Sequence, residues 1–388
     1  MNDRASDLFD RLVIQSCARC RRDGHVSHVT PVCATVSEKF ARTVDARSFK
    51  HNNLIIRESI EEKLLHVIVA DPMQVRLAEE LRAALGEGVS WEFLDRPEHI
   101  AHASMDADVF VGSRMDADQI RQRSKLRLIQ VAGAGYEGIE LSAVPRDVVV
   151  ANTSHHGRAI AEYCLMSMLA LSRNLLVEDG ALREGTWLSV FQDPTAPVHD
   201  TLAGKTVGII GYGEIGSHIG RLARAIGMRV AAVRRNPQST AADELDWVGS
   251  PDQLPYLLRT SDFVIVTVPL TESTVGLIGE KELALMPRNS VLINVARGPI
   301  VDEEALYAAL HEKRIRGAAI DVWWRYPAEG NRADPSKLPF GALQNVLVTP
   351  HTSGVTTDVF HNRMKDVAAN IAALRDGLPL RNVVVPAR

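Results

Sequence analysis

Gly211-Tyr212-Gly213-Glu214-Ile215-Gly216 constrains this chain more than any other stretch, because of what flanks it. The preceding run Lys205-Thr-Val-Gly-Ile-Ile210 predicts a short buried strand, and Ser217 to Ile226 predicts the helix after the turn. A glycine triplet between strand and helix lets the backbone approach a pyrophosphate, whose charge then sits at the helix N-terminus. These six residues are therefore candidate dinucleotide ligands. The next predicted strand, Arg229-Val-Ala-Ala-Val-Arg-Arg235, should end beside the adenosine ribose. NAD sites usually place an acidic residue there to accept the ribose hydroxyls. This strand ends instead in Arg234 and Arg235, whose guanidiniums favour a 2′-phosphate through charge-assisted bonds. NADP is thus favoured over NAD, the alternative being a pair of solvated surface arginines.

With 388 residues the chain is long enough for two domains with separate cores. A net charge of −4 argues against wholesale nucleic-acid binding. No apolar run reaches the roughly 18 residues that span a bilayer. Asn2, Asp3, Arg4 and Asp7 open the chain where a signal peptide would be apolar, so a cytoplasmic protein is expected. Cys17-x-x-Cys20 with His25, His28 and Cys33 has the ligand types of a zinc site, but no second half-site of familiar spacing follows. The reading preferred is an irregular extension over 1–60 with incidental cysteines, and no metal.

From Leu64-Leu-His-Val-Ile-Val-Ala70 onward, strands alternate with helical segments. Strands are expected at 108–112, 126–131 and 148–151, with a helix over 75–85. That alternation argues for an α/β fold with parallel sheets covered by helices. A long apolar helix over Ala159–Leu176, with Ala161, Cys164, Leu165, Met168, Leu169 and Leu176 on one face, links this unit to the next. It reads as a hinge, a dimer element or an internal core helix. Six strands then follow (206–210, 230–233, 263–268, 290–294, 318–321 and 346–349), which fits a Rossmann-type doubly wound sheet. A helix near 358–374 and a strand at 381–385 have no place in that sheet and most simply return to the first unit. The expected division is 1–60 extension, 61–157 first unit, 158–349 dinucleotide domain with its connecting helix, and 350–388 completing the first unit.

At the carboxyl ends of strands, where an open α/β sheet binds its ligands, stand Arg297 and His351. An arginine holds a carboxylate in a two-pronged pair, and a histidine donates a proton as hydride arrives from a nicotinamide. An ordered set of motifs surrounds them: Gly133-Ala-Gly135-Tyr136, Ile160-Ala-Glu162, the glycine loop, Val268-Pro269-Leu270-Thr-Glu-Ser-Thr, Asn294-Val-Ala-Arg297-Gly298, Ile320-Asp321-Val322 and Pro350-His351-x-x-Gly354. Over about residues 64–385 the chain resembles the D-isomer-specific 2-hydroxyacid dehydrogenase family. The resemblance implies a split, flavodoxin-like substrate domain closing over a central NAD(P) domain, commonly in a homodimer. It implies a small 2-keto or 2-hydroxy acid as substrate, Arg297 as its carboxylate-binding arginine and His351 as general acid/base. By the same resemblance, amides near Ala134 and Gly135 cradle the carboxylate and Asp321 contacts the nicotinamide amide. Val268, Pro269, Val295 and Ala296 fall on cofactor-lining motifs.

One position departs from the family. A glutamate that pairs with the catalytic histidine usually precedes the proline after Asp-Val, and here Tyr326 stands there. A carboxylate raises a histidine's pKa by stabilising imidazolium, and a neutral phenol does so far less. Two arrangements for the histidine's partner are open: Tyr326 hydrogen-bonds His351 directly, or Glu329 swings in to restore the carboxylate; the alternative to a direct role is that Tyr326 is only an apolar wall. Trp323-Trp324 resembles the loop of formate dehydrogenases, yet their formate-holding asparagine aligns with His156 here, which argues against formate oxidation. His155 and His156 are candidates for an acidic substrate tail. A reading from another class is a cofactor-sensing, corepressor-like scaffold, from which turnover of any 2-keto acid would separate an enzyme.

Overall fold

The computed structural model describes residues 64–94, 96–239, 245–327 and 330–386. The expected extension, its cysteines and Glu329 lie outside the described residues. Residues 64–388 cluster as one compact unit built on two sheets.

The first sheet begins with β1 (Leu65–Val69), an almost wholly buried run. Asp71 then caps α1 (Pro72–Arg76), accepting the amides of Met73 and Gln74. The helix expected over 75–85 is in fact two, because Leu77 leaves helical geometry before α2 (Ala78–Leu85). Next come β2 (Val89–Phe93), β3 (Val109–Val111), α3 (Ala117–Arg121), β4 (Leu128–Gln130) and β5 (Val149–Ala151). β2 was not among the expected strands. It is an edge strand, half-buried throughout, pairing only with β1.

The connecting helix is shorter than expected. α4 (Gly157–Ser172) stops at Arg173, and Asn174 takes a left-handed φ of 49° before α5 (Leu175–Arg183). Ala161, Cys164 and Met168 are buried against the second sheet as their spacing predicts, but Leu169 and Leu176 face outward. With Leu182, Trp187 and Phe191 they form an exposed apolar series.

The second sheet runs through β6 (Thr206–Ile210), α6 (Glu214–Ala225), β7 (Arg229–Val233), β8 (Trp247–Gly249), α7 (Leu254–Thr260), β9 (Phe263–Val266), α8 (Glu280–Leu285), β10 (Val291–Asn294), α9 (Glu303–His311), β11 (Gly317–Ile320) and β12 (Val346–Val348). The order is β12-β11-β10-β9-β6-β7-β8, seven strands where six were expected, all parallel. The missed strand, β8, is a three-residue edge. Strand order reverses between β6 and β9, which opens a crevice at their carboxyl ends. β6, β9, β10 and β11 are buried at every residue because helices cover both faces.

The chain then returns. α10 (Thr357–Arg375) buries Met364, Val367, Ala368 and Ile371 in the core of the first sheet, and β13 (Val383–Val385) pairs antiparallel with β5. The first sheet's order is thus β13-β5-β4-β3-β1-β2, a flavodoxin-like arrangement with one antiparallel edge. Among the described residues no single helix is long and apolar enough to cross a membrane.

Because α10 supplies core to a sheet whose first five strands lie more than 200 residues earlier in sequence, its burial is a stability test. Ile371→Ala, at a fully buried position, should lower unfolding free energy by about 2–5 kcal/mol in urea titration. Leu176→Ala, on the outward face, should change it by only about 0.5 kcal/mol.

Candidate active site

The glycine loop is held open by its neighbours. Gly211 has φ +99°, and a Cβ there would lie 2.8 Å from Val268 Cγ1. Its amide donates to Val233 O at 2.9 Å, while Thr267 Oγ1 donates to its carbonyl at 2.5 Å. A Cβ on Gly216 would meet Gly211 O at 2.5 Å, so that glycine lets helix and turn close together. A Cβ on Gly213 would meet nothing within 4 Å: the space over it is where a phosphate can approach the backbone. α6 begins at Glu214 rather than Ser217, so its N-terminus opens directly onto that space. These features fit a dinucleotide.

The side chains around the loop differ in what they can offer. The Tyr212 ring is buried beneath α6 against Gly220, leaving its backbone to face the crevice. Glu214 is exposed with its carboxylate beside Gly157, and Ile215 packs partly into the core. The Arg234 amide donates to Gly249 O, and Arg235 is exposed, so both arginines lie at the carboxyl end of β7 beside Gly211. Val268 lies under Gly211 and Pro269 is exposed next to it. Val295 and Ala296 bury their side chains.

His351 follows β12 in a left-handed conformation, φ 59°, which is uncommon for a residue with a Cβ. Asp321, at the end of β11 and fully buried, holds it there. The Asp321 carbonyl accepts the His351 amide at 2.8 Å. Its carboxylate accepts Thr349 Oγ1 at 2.6 Å and the amides of Thr352 and Ser353 at 2.8 and 3.0 Å. Tyr163 on α4 reaches Thr349 Oγ1 at 2.7 Å, and burial pushes its phenol up to about 12.

His351 Nδ1 lies 3.0 Å from Tyr326 Oη, the first of the two arrangements considered above. The Trp323 amide also donates to Tyr326 Oη, at 3.2 Å. That amide can only donate, so Tyr326 Oη is left either to accept from a protonated Nδ1 or to turn its own proton toward a bare one. When the ring is doubly protonated, the same oxygen accepts from it. Although the ring is open to the cleft, desolvation by the surrounding chain holds its pKa below the usual histidine value. Asp321 pulls the other way, and the Arg297 charge adds to the lowering.

Arg297 leaves β10 through a turn shaped by the buried Asn294, whose side chain donates to Arg297 O at 3.0 Å and accepts the Ala296 amide at 3.1 Å. Gly298 lets this turn press against the Trp323–Trp324 backbone, where a Cβ would collide. Arg297 Nη1 donates to Ala296 O at 2.7 Å and Nη2 to Glu137 Oε1 at 3.2 Å. Gly135 lies directly beneath that ion pair, while Ala134 O accepts Asn152 Nδ2 at 2.8 Å.

His156 and His155 separate. His156 precedes α4 and is largely buried, its Nδ1 accepting Arg363 Nη2 at 3.1 Å. Its Cβ lies 3.3 Å from the position of a Gly354 Cβ, so it packs on the His351 segment. Burial, then the Arg363 charge, lowers its pKa. His155 instead pairs with Asp366 at 2.7 Å on α10. Trp323 and Trp324 pack with Phe340 in the core of the second sheet, and their indoles donate to Thr349 O and Val301 O. They brace the loop rather than line a pocket.

Glu137, Arg363 and Thr349 were not singled out from the sequence. Each gains its position from a partner 160, 207 or 28 residues away, a pairing no local pattern encodes. Among the described residues no group of histidine, cysteine or carboxylate side chains could hold a metal ion.

The glycine loop separates two kinds of damage. Gly213→Ala should leave thermal stability intact but raise the cofactor KM at least about tenfold, ~1.4 kcal/mol, because the methyl group would enter the phosphate space. Gly216→Ala, where the methyl group would strike a carbonyl, should also lower the melting temperature. Equal melting temperatures for the two variants would contradict this division.

With this geometry in hand, known proteins supply the comparison. Residues 165–353 match the family model of the D-isomer specific 2-hydroxyacid dehydrogenase NAD binding domain. A glyoxylate reductase from Thermococcus gammatolerans is 34% identical over 279 residues, 70% of this chain and 81% of that protein. A D-3-phosphoglycerate dehydrogenase from Methanocaldococcus jannaschii is 31% identical over 330 residues, 83% of this chain but 59% of that longer protein. The structure of a 2-hydroxyacid dehydrogenase from Ketogulonicigenium vulgare superposes with a TM-score of 0.69 at 25% identity, covering 84% of this chain and 99% of that one. The chain belongs to the D-isomer specific 2-hydroxyacid dehydrogenase family, whose members are NAD(P)-dependent oxidoreductases.

Proposed function

We propose that this enzyme interconverts a small 2-keto acid and its D-2-hydroxy acid, with NADPH preferred over NADH. The observation that supports it most is the pairing of His351 with Tyr326 beside Arg297. Arg297 and the amides near Ala134 and Gly135 would hold the substrate carboxylate, fixing the adjacent carbonyl toward His351. The turn over residues 211–216 would hold a dinucleotide whose nicotinamide would supply the hydride. His351 Nε2 gives its proton to the carbonyl oxygen during reduction and recovers it during oxidation. Tyr326 Oη accepts from Nδ1–H in the imidazolium and in the neutral tautomer that forms when Nε2 gives up its proton, which leaves Nε2 free to take a proton back.

We assign Asp321 to holding the His351 segment. The nicotinamide contact implied by the family resemblance would have to share a buried carboxylate that already accepts three hydrogen bonds. His156 is assigned to the substrate side of the cleft, where Arg363 fixes its tautomer and an acidic tail on the substrate would find both groups. A homodimer contact is placed on the outward apolar series of Leu169, Leu176 and Phe191.

The cofactor and substrate assignments are tested together by steady-state reduction of glyoxylate, hydroxypyruvate, phenylpyruvate and 3-phosphonopyruvate with each cofactor. Turnover should be lost in His351→Asn, the keto-acid KM should rise at least about tenfold in Arg297→Gln, and the NADPH/NADH ratio of kcat/KM should fall at least about tenfold in Arg234→Ala/Arg235→Ala. A preference for NADH in the wild type would make those arginines surface charge.

The role of Tyr326 is tested by pH. Reduction needs imidazolium, so kcat/KM should fall as pH rises, with a midpoint below the usual histidine pKa. Tyr326→Glu adds a carboxylate that stabilises imidazolium and should move that midpoint about 1 unit or more to higher pH. An unmoved midpoint would remove Tyr326 from the proton path.

A further inference from the structure

The guanidinium assigned to the substrate's carboxylate pairs with a carboxylate of the chain itself. Glu137 Oε1 lies 3.2 Å from Arg297 Nη2, and the pair bridges the first sheet's Gly133–Gly135 turn to the end of β10. A Cβ on Gly135 would lie 2.5 Å from Arg297 Nη2 and would also strike the Glu137 carboxylate. Glu137 therefore occupies the space between the Gly135 backbone and Arg297, which is the space the substrate's carboxylate needs. The Glu137 side chain is 58% exposed and that of Arg297 34%. The glutamate therefore has solvent to swing into, while the arginine stays held by Ala296 O through Nη1 at 2.7 Å.

We propose that Glu137 is the resident counter-ion of Arg297, and that substrate binding is an exchange of one carboxylate for another. The inference rests on the reading of Arg297 as the substrate's carboxylate anchor. Its consequence is a filter. Glu137 keeps the arginine charge-paired and oriented between turnovers. Only a ligand that offers a carboxylate together with further contacts, such as the Gly135 amide and His351, displaces it. Small inorganic anions compete poorly with a tethered partner because Glu137 has a high local concentration. Glu137 is thus a positioning residue that sets KM through Arg297, without touching the reacting carbonyl.

The test uses the full-length protein with saturating NADPH or NADH, whichever it uses. An ion pair this exposed is worth up to about fivefold in an equilibrium. Glu137→Gln should therefore lower the KM for glyoxylate and the inhibition constant of oxalate by about two- to fivefold, with kcat changing by a smaller factor. Chloride should inhibit this variant more strongly than the wild type. Glu137→Asp keeps the charge but shortens the reach, and should show most of the same drop. A drop in Glu137→Gln with none in Glu137→Asp would mean general charge repulsion and would overturn the exchange. A rise in KM in both variants would overturn it too, since Glu137 would then be building the binding geometry. Arg297→Gln separates this inference from the reading beneath it. If Arg297→Gln leaves KM unchanged, the carboxylate anchor itself is wrong; if it raises KM while Glu137→Gln does not lower it, only the exchange fails.

Discussion

The site depends on one buried carboxylate. Asp321 follows β11 with no solvent exposure, and among the described residues its carboxylate oxygens accept from Thr349 Oγ1 and the amides of Thr352 and Ser353. A carboxylate so placed is tolerable only while those donors stay in position, because leaving it without partners would be strongly destabilising. The segment after β12 must therefore wrap around it. That wrap forces His351 into its left-handed conformation, turns its imidazole toward Tyr326 and packs Gly354 against His156. The strain at His351 is sustained by hydrogen bonds elsewhere, as expected where geometry serves chemistry.

The second determinant is close approach between backbones, which glycine alone permits. Gly298 brings the Arg297 turn against the Trp323–Tyr326 loop, Gly135 makes room beneath Arg297, and Gly211 with Gly216 shapes the cofactor turn. These contacts join the carboxyl ends of β6, β9, β10, β11 and β12, which the parallel topology had already set side by side. The tryptophans behind the loop, Trp324 stacked on Phe340 and Trp323 edge-on to it, keep Tyr326 from collapsing away from His351. The His351–Tyr326 pair is consequently braced on its protein side, while the Glu137–Arg297 pair across from it is half open to solvent. Under the proposed function, a braced acid and an exchangeable anchor would suit a site that admits anions and presents one fixed proton donor.

Much of this architecture was legible because buried parallel strands are short apolar runs and their turns carry glycines. β6, β7, β10 and β11 could be read to within a residue or so of their bounds. The edge strands β2 and β8 could not, since an edge strand is partly exposed and its pattern blends into loops. The connecting helix was read too long because Leu175 and Leu176 continue its apolar spacing. Only the left-handed Asn174 breaks it, and asparagine is not a decisive stop. Tyr326 was legible as a departure from a motif, and its bond to His351 was one of two arrangements the sequence allowed.

By itself the sequence determined the two-sheet α/β class, the dinucleotide turn, the return of the chain after His351 and the identities of Arg297 and His351 as the groups that could hold an acid and move a proton. Each of these is a local pattern: a periodicity, a glycine spacing or a strand-end residue. The tertiary structure decided which partners those groups have. It buried the Tyr212 ring, separated His155 from His156, drew Arg363 onto His156 and set Glu137 against Arg297. Such pairings join residues far apart in the chain, and their energies come from desolvation and charge at positions that exist only once both sheets are packed.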